Sequence, residues 1–300
     1  MIHHITAICA SAQTTANFYT RVLGLRLVKL TVNQDDVGTY HLYFGDRIGA
    51  PGTVLTFFPW AHLPRGSVGA GGVSEIAFAV PPGSLNYWQN RLSLNGVEST
   101  LGMRHNLPLI NCKDPDGLEL LFVEQVGEGS WTREVPTSNA IHRFYGVTLV
   151  LHHAIRTVAL LKEHFGYTPI AGTVDGIRMI GEDGSIIYIV EDANAAVAVQ
   201  GLGSVHHIAF RTKDNESQIK LRAAIAQDYL RLTPVIDRYY FSSVYFREPG
   251  GILFEIATDG PGFTVDEREE ILGTSLMLPP AFESSRAKII ALLPAFTFSK

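Results

Sequence analysis

One supersecondary pattern recurs four times along this chain, with a period of about 60 to 70 residues, and a repeat of that length constrains the fold more than any single motif. Each copy opens with a short alternating strand, passes into a helix and finishes with several strands, the last of which follows a Pro/Gly turn. The opening strands read His3-His4-Ile5-Thr6-Ala7-Ile8, Val73-Ser74-Glu75-Ile76-Ala77-Phe78, Tyr145-Gly146-Val147-Thr148-Leu149-Val150 and Val205-His206-His207-Ile208-Ala209-Phe210. In the first copy the helix carries Ala16-Asn17-Phe18-Tyr19 and ends at Leu23-Gly24-Leu25. In the third, Val158-Ala159-Leu160-Leu161 leads to Phe165-Gly166-Tyr167. A glycine at that point supplies a left-handed helix cap. His4 and Gly146 both lie 20 residues before these glycines, which aligns the two opening strands.

The closing strands of the even copies also match, Lys113-Asp114-Pro115-Asp116-Gly117-Leu118-Glu119-Leu120 beside Arg247-Glu248-Pro249-Gly250-Gly251-Ile252-Leu253-Phe254-Glu255-Ile256. In both, a turn feeds a strand that bears a glutamate. Segment 127–142 has Gly, Ser, Pro, Thr and Asn but little apolar periodicity, and reads as a linker. The expected division is an N-terminal pair of modules over 1–126, that linker, a C-terminal pair over 143–262, and a tail over 263–300 laid across the body.

Composition narrows the function. With 46% of its 300 residues apolar, the chain can bury a large core. A net charge of −5 without a long Lys/Arg run gives no electrostatic footprint for nucleic acid or an anionic membrane. No apolar stretch reaches transmembrane length, and Met1-Ile2-His3-His4 runs into strand-like sequence without the parts of a signal peptide. A cytoplasmic protein with a small-molecule partner is therefore expected. Cys9 and Cys112 match no zinc spacing and read as half-buried thiols. Exposed strand edges are often covered by a second copy, so a homodimer or homotetramer is expected.

A βαβββ unit used four times, with histidine near a first strand and glutamate on a last, resembles the vicinal oxygen chelate superfamily of glyoxalases and extradiol dioxygenases. Three segments resemble its hydroquinone 1,2-dioxygenase branch more closely. They are His3-His4-Ile5-Thr6, then Tyr40-His41-Leu42-Tyr43-Phe44-Gly45 with Pro51-Gly52-Thr53, then Tyr245-Phe246-Arg247-Glu248-Pro249-Gly250-Gly251 followed by Phe254-Glu255-Ile256-Ala257-Thr258. The resemblance covers essentially the whole chain. It implies an α+β fold whose four modules pair into two open-barrel sheets. It also implies a non-haem iron(II) enzyme that inserts O2 into a hydroquinone-type aromatic ring.

Two imidazoles and one carboxylate on one face of an octahedral ion leave positions open for a substrate oxygen and for dioxygen. The first copy offers His4, and the fourth offers His207 and Glu255. The second offers Glu75 and Glu119, and the third has Gly146 in the opening slot. The site is thus expected to join the beginning of the chain to its fourth copy. Neighbours on a strand face opposite sides, so only one of each His-His pair can face the metal. His4 and His207 are chosen because they share the same phase of their strands. Glu255 is the only charged residue in an apolar strand, and a buried carboxylate needs a partner or a metal.

The branch further implies His3 as an acid or base, Arg238 as a fixed charge and Tyr245 as a hydroxyl able to bond a bound substrate. Phe44, Phe57, Phe58, Trp60 and Phe78 are candidates for an apolar ring pocket. Iron(II) is expected from the resemblance, the same donors accepting Mn(II). Three other readings fit the fold: a catechol-type extradiol dioxygenase, a glyoxalase-like metalloenzyme whose fourth acidic ligand does not stand out here, and a metal-free binding protein.

Overall fold

In the computed structural model, which describes residues 1–131, 133–171, 176–228 and 231–298, the repeat resolves into four βαβββ modules. The first holds β1 (Ile2–Cys9), α1 (Ala12–Asn17), β2 (Arg26–Asn33), β3 (Asp36–Gly45) and β4 (Val54–Pro59). The second holds β5 (Gly72–Val80), α2 (Leu85–Leu94), β6 (Ser99–Arg104), β7 (Leu107–Lys113) and β8 (Glu119–Glu124). The third holds β9 (Arg143–Leu151), α3 (Ile155–Phe165), β10 (Thr168–Ile170), β11 (Ile177–Ile180) and β12 (Ile186–Glu191). The fourth holds β13 (Val205–Thr212), α4 (Asn215–Ala226), β14 (Ile236–Asp237), β15 (Phe241–Arg247) and β16 (Leu253–Pro261).

Local chemistry sets the helix ends. Ser11 and Asp214 accept hydrogen bonds from the backbone N–H groups of Thr14 and Ser217, capping α1 and α4. Gly24 and Gly166, both at positive φ, turn the chain back after the first and third helices, where an L side chain would be strained. Under the helices lies a continuous core drawn from both sheets, in which Trp88, Tyr19, Phe57 and Phe122 are fully buried.

The modules do not pair in chain order. Modules one and four share one eight-stranded sheet, ordered β14-β15-β16-β13-β1-β4-β3-β2, and modules two and three share the other, ordered β10-β11-β12-β9-β5-β8-β7-β6. This corrects the expected grouping into an N-terminal and a C-terminal pair. The opening strands explain it: Thr6 lies opposite His207 across the β1–β13 seam, and Glu75 accepts from the Thr148 hydroxyl across the β5–β9 seam at 2.7 Å.

The tail solves an edge problem. β2 ends the first sheet, and a bare edge strand templates association. Leu276 bridges to Leu30, and the Met277 N–H donates to the Leu30 carbonyl at 2.9 Å. Beneath that contact the buried Lys29 ammonium is neutralised by Asp266 and Glu267 of the tail. Cys9 and Cys112 are free and buried, and burial pushes both thiols up to about 12, so neither is a thiolate at neutral pH.

Candidate metal centre

The centre is built on the seam between the two ends of the chain. β1 runs antiparallel to β13, with His4 opposite Ala209, and β13 runs parallel to β16, with Ala209 beside Glu255. His4 and Glu255 therefore flank a methyl group, and His207, two residues before Ala209, shares its face. The small side chain at Ala209 leaves the space into which all three donors lean.

Two bulges set the histidine pairs. Along the seam Ile2 pairs with Phe210 and His4 with Ala209, leaving His3 as an extra residue; Thr6 pairs with His207 and Ala7 with Val205, leaving His206 extra. A bulge re-aims the side chain it carries. Here each extra histidine turns onto its neighbour: His3 Nδ1 lies 2.9 Å from His4 Nδ1, and His206 Nδ1 lies 2.7 Å from His207 Nδ1. The Nε2 atoms of His4 and His207 are left to converge with Glu255.

Those three atoms crowd together. His207 Nε2 is 2.9 Å and His4 Nε2 3.3 Å from Glu255 Oε2, and the two nitrogens are 3.4 Å apart. Glu255 Oε1 accepts from the Ser243 hydroxyl at 2.5 Å. Oε2 is buried and, although both imidazoles lie within ion-pair distance, neither gives it a hydrogen bond of acceptable geometry. A buried carboxylate oxygen left in that state is costly unless a cation completes it. Burial works against ionising Glu255, but the facing imidazoles outweigh it and hold the carboxyl well below its usual range. Burial lowers His207, and it takes both His3 and His206 down to about 3. Two imidazoles and one ionised carboxylate are the donor set a divalent transition metal takes, so the residues present fit a metal ion. His41, half-buried, is lowered well below the ordinary imidazole value by desolvation.

In front of the donors lies a cavity with about 410 Å³ of empty space counted out to its mouth. Tyr245, in register with Glu255, stands on one side, and its hydroxyl accepts from Arg238 Nε at 3.3 Å. Arg238 also grips Asp35 of the β2–β3 turn with both terminal nitrogens, at 3.1 and 2.9 Å, drawing modules one and four together at the cavity mouth. Burial alone would lower the guanidinium; Asp35 and Tyr245 raise it. Burial raises the Tyr245 phenol above its usual value, which keeps it protonated at neutral pH.

The other expected residues fall differently. His3, read as an acid or base, sits behind His4 against Phe241 and does not line the cavity. Phe58 does line it, with Trp60 stacked behind at 4.9 Å. Phe44 and Phe57 point to the opposite face and pack on Tyr19, and Phe78 stacks on Phe144 in the core. The structure adds His41 and Tyr43 from β3: the Tyr43 hydroxyl lies 2.8 Å from His41 Nδ1, and His41 Nε2 lies 2.8 Å from the Thr56 hydroxyl. Their signal was the alternation of Tyr40-His41-Leu42-Tyr43-Phe44, in which 41 and 43 share one phase and the buried Leu42 and Phe44 the other.

Comparison with known proteins agrees with this architecture. The Glyoxalase/Bleomycin resistance protein/Dioxygenase superfamily matches residues 1–122. MhqE of Bacillus subtilis (strain 168), which carries the name of a ring-cleaving dioxygenase, is 44% identical over 98% of both chains. The chain belongs to the ring-cleaving dioxygenases of this superfamily. Another relative in that family, the chlorohydroquinone/hydroquinone 1,2-dioxygenase of Sphingobium indicum, is 32% identical over 96% of this chain and 94% of its own. A crystal structure described as a dioxygenase of Bacillus subtilis superposes with a TM-score of 0.94 at 43% identity, covering 100% of this chain and 98% of that one. Glyoxalase I of Zea mays shares the fold, with a TM-score of 0.64 at 14% identity over 86% of this chain and 92% of its own. Among the described residues of this ring-cleaving dioxygenase, no helix is long and apolar enough to cross a membrane.

Proposed function

We propose that this chain is an iron(II)-dependent dioxygenase that opens a hydroquinone-type ring held in the cavity before His4, His207 and Glu255. The observation that carries the reading is the convergence of two imidazole Nε2 atoms on a buried carboxylate oxygen that no hydrogen bond satisfies. The name of the Sphingobium indicum relative supports the para-diol class. An iron(II) ion held by His4, His207 and Glu255 would supply the redox chemistry needed to join a hydroquinone ring to dioxygen.

The chain's own groups do the rest. His3 and His206 accept the Nδ1 protons of His4 and His207, so that each Nε2 offers a lone pair. Ser243 holds Oε1, leaving one carboxylate oxygen as a donor. The protonated Tyr245 hydroxyl donates to the oxygen that gains charge as the ring opens, and Arg238 fixes its position. Tyr43, His41, Thr56 and Thr6 form a chain of side-chain hydrogen bonds that locks the cavity floor. Phe58 and Phe241 supply apolar walls for an aromatic ring.

The test is anaerobic loading with iron(II), followed by oxygen uptake with hydroquinone and, separately, with catechol. Uptake with hydroquinone supports the proposal. Uptake with catechol alone moves the chain to the extradiol class, and failure to bind one metal ion per chain refutes the metalloenzyme reading.

A further inference from the structure

The concave face of the second sheet repeats the architecture of the metal cavity with different chemistry. Its seam has the same two bulges: Val73 pairs with Leu149 and Glu75 with Thr148, leaving Ser74 extra, and Ala77 pairs with Gly146 and Phe78 with Phe144, leaving Tyr145 extra. Ala77 lies beside Leu121 as Ala209 lies beside Glu255. The counterparts of His207, His4 and Glu255 are therefore Glu75, Gly146 and Leu121. Glu119, the glutamate singled out on this closing strand, lies two residues away, in register with Glu75.

A glutamate, a glycine and a leucine make no three-donor grip, and Arg104 occupies the glutamate. Its two terminal nitrogens donate to Glu75 at 2.6 and 2.8 Å. Burial opposes the charge on Glu75, but this pair holds the carboxyl below its usual range. The cavity itself persists, with about 450 Å³ of empty space counted out to its mouth. Ala77, Leu109, Leu121 and Val123 form its apolar floor, a cluster separate from the main core.

One cation there has no carboxylate partner among the described residues. Arg178, on β11, donates to the Tyr145 hydroxyl at 2.9 Å, a neutral partner. A guanidinium at the rim of an apolar slot offers forked donors that match a carboxylate. The phenol on the bulge aims that fork, and the Tyr188 ring lines the slot. Apolar walls with a few convergent polar groups are the general pattern of small-molecule sites.

We propose that this cavity is a second, metal-free binding site that takes a small planar monocarboxylate, its carboxylate on Arg178 and its unsaturated body against Ala77, Leu109 and Leu121. The proposal does not depend on the activity assigned to the metal centre. The experiment is calorimetric titration of the iron-loaded protein with benzoate, and with benzamide as the neutral isostere. Benzoate is expected to bind at least about tenfold more tightly than benzamide, because only the anion gains the charge-assisted fork. Arg178→Met should weaken benzoate at least about tenfold while leaving benzamide binding and oxygen uptake unchanged. Ala77→Leu, which keeps the guanidinium and fills the slot, should abolish benzoate binding, and it decides the matter if Arg178→Met does not fold. Equal affinity for benzoate and benzamide, or wild-type benzoate affinity in a folded Arg178→Met or Ala77→Leu protein, overturns the proposal.

Discussion

Asp114 offers a prediction whose size and sign both follow from its surroundings. The side chain is buried in the turn before β8, where Oδ1 accepts from the N–H groups of Asp116 and Leu118 at 2.9 Å each and Oδ2 accepts from the Tyr19 hydroxyl at 3.1 Å. Burial dominates these bonds and raises the carboxyl from 3.8 to about 6. The native state thus binds this proton more tightly than the unfolded chain does. Below pH 4 the group costs almost nothing; as pH rises through 6 the native state loses stability. Two pKa units correspond to about 3 kcal/mol above pH 7, and the cost near pH 5 is about half of that. Asp114→Asn keeps an oxygen for the two N–H groups and can donate to the Tyr19 oxygen from its amide nitrogen. The variant should therefore unfold at higher urea than the wild type at pH 7.5, with the gap narrowing at pH 5 and nearly closing at pH 4. A gap that does not change with pH, or a variant less stable at pH 7.5, would refute the reasoning.

Glu255→Ala should retain the fold, as judged by circular dichroism, and lose stoichiometric iron(II) by elemental analysis. Tyr245→Phe should keep the metal and slow turnover by a factor on the order of 10² or more, since it deletes one positioned proton donor; unchanged kcat would remove that role. His3→Phe, which removes the group orienting His4, should weaken metal affinity by about 10- to 100-fold without abolishing it. Lys29→Met leaves Asp266 and Glu267 without their counter-ion and should cost about 3–5 kcal/mol in urea unfolding.

The repeat made the fold legible, because each copy announces itself by an alternating strand, a glycine-capped helix and a Pro/Gly turn. The convergence of three residues was legible for a related reason: Glu255 is a charge in an apolar strand, and His4 and His207 stand at one phase of matching strands. The bulges were not. A bulge is a property of two strands in register, and neither His3 nor His206 carries a local mark that it is the extra residue. Strict alternation therefore sent His3 to the far side of the sheet, whereas it folds back onto His4. The pairing of modules was hidden likewise, since linker length permits neighbours to pair and only cross-seam contacts such as Thr6 opposite His207 select the alternative. Asp35, which holds Arg238, lies exposed in a turn, where nothing nearby in sequence points to the cavity.

The joining of the first and last modules also governs when the centre can exist. A ribosome adds about 5–20 residues per second, so His4 emerges long before the strand it must face, which starts at Val205. Modules two and three can close on each other in the meantime. A nascent chain ending at residue 200 owns one of the three converging side chains, and β1 waits with an open seam whose partner has not been translated. Closure of the three-residue cluster is therefore tied to late synthesis, and a chain cut short before Glu255 has no means of assembling it.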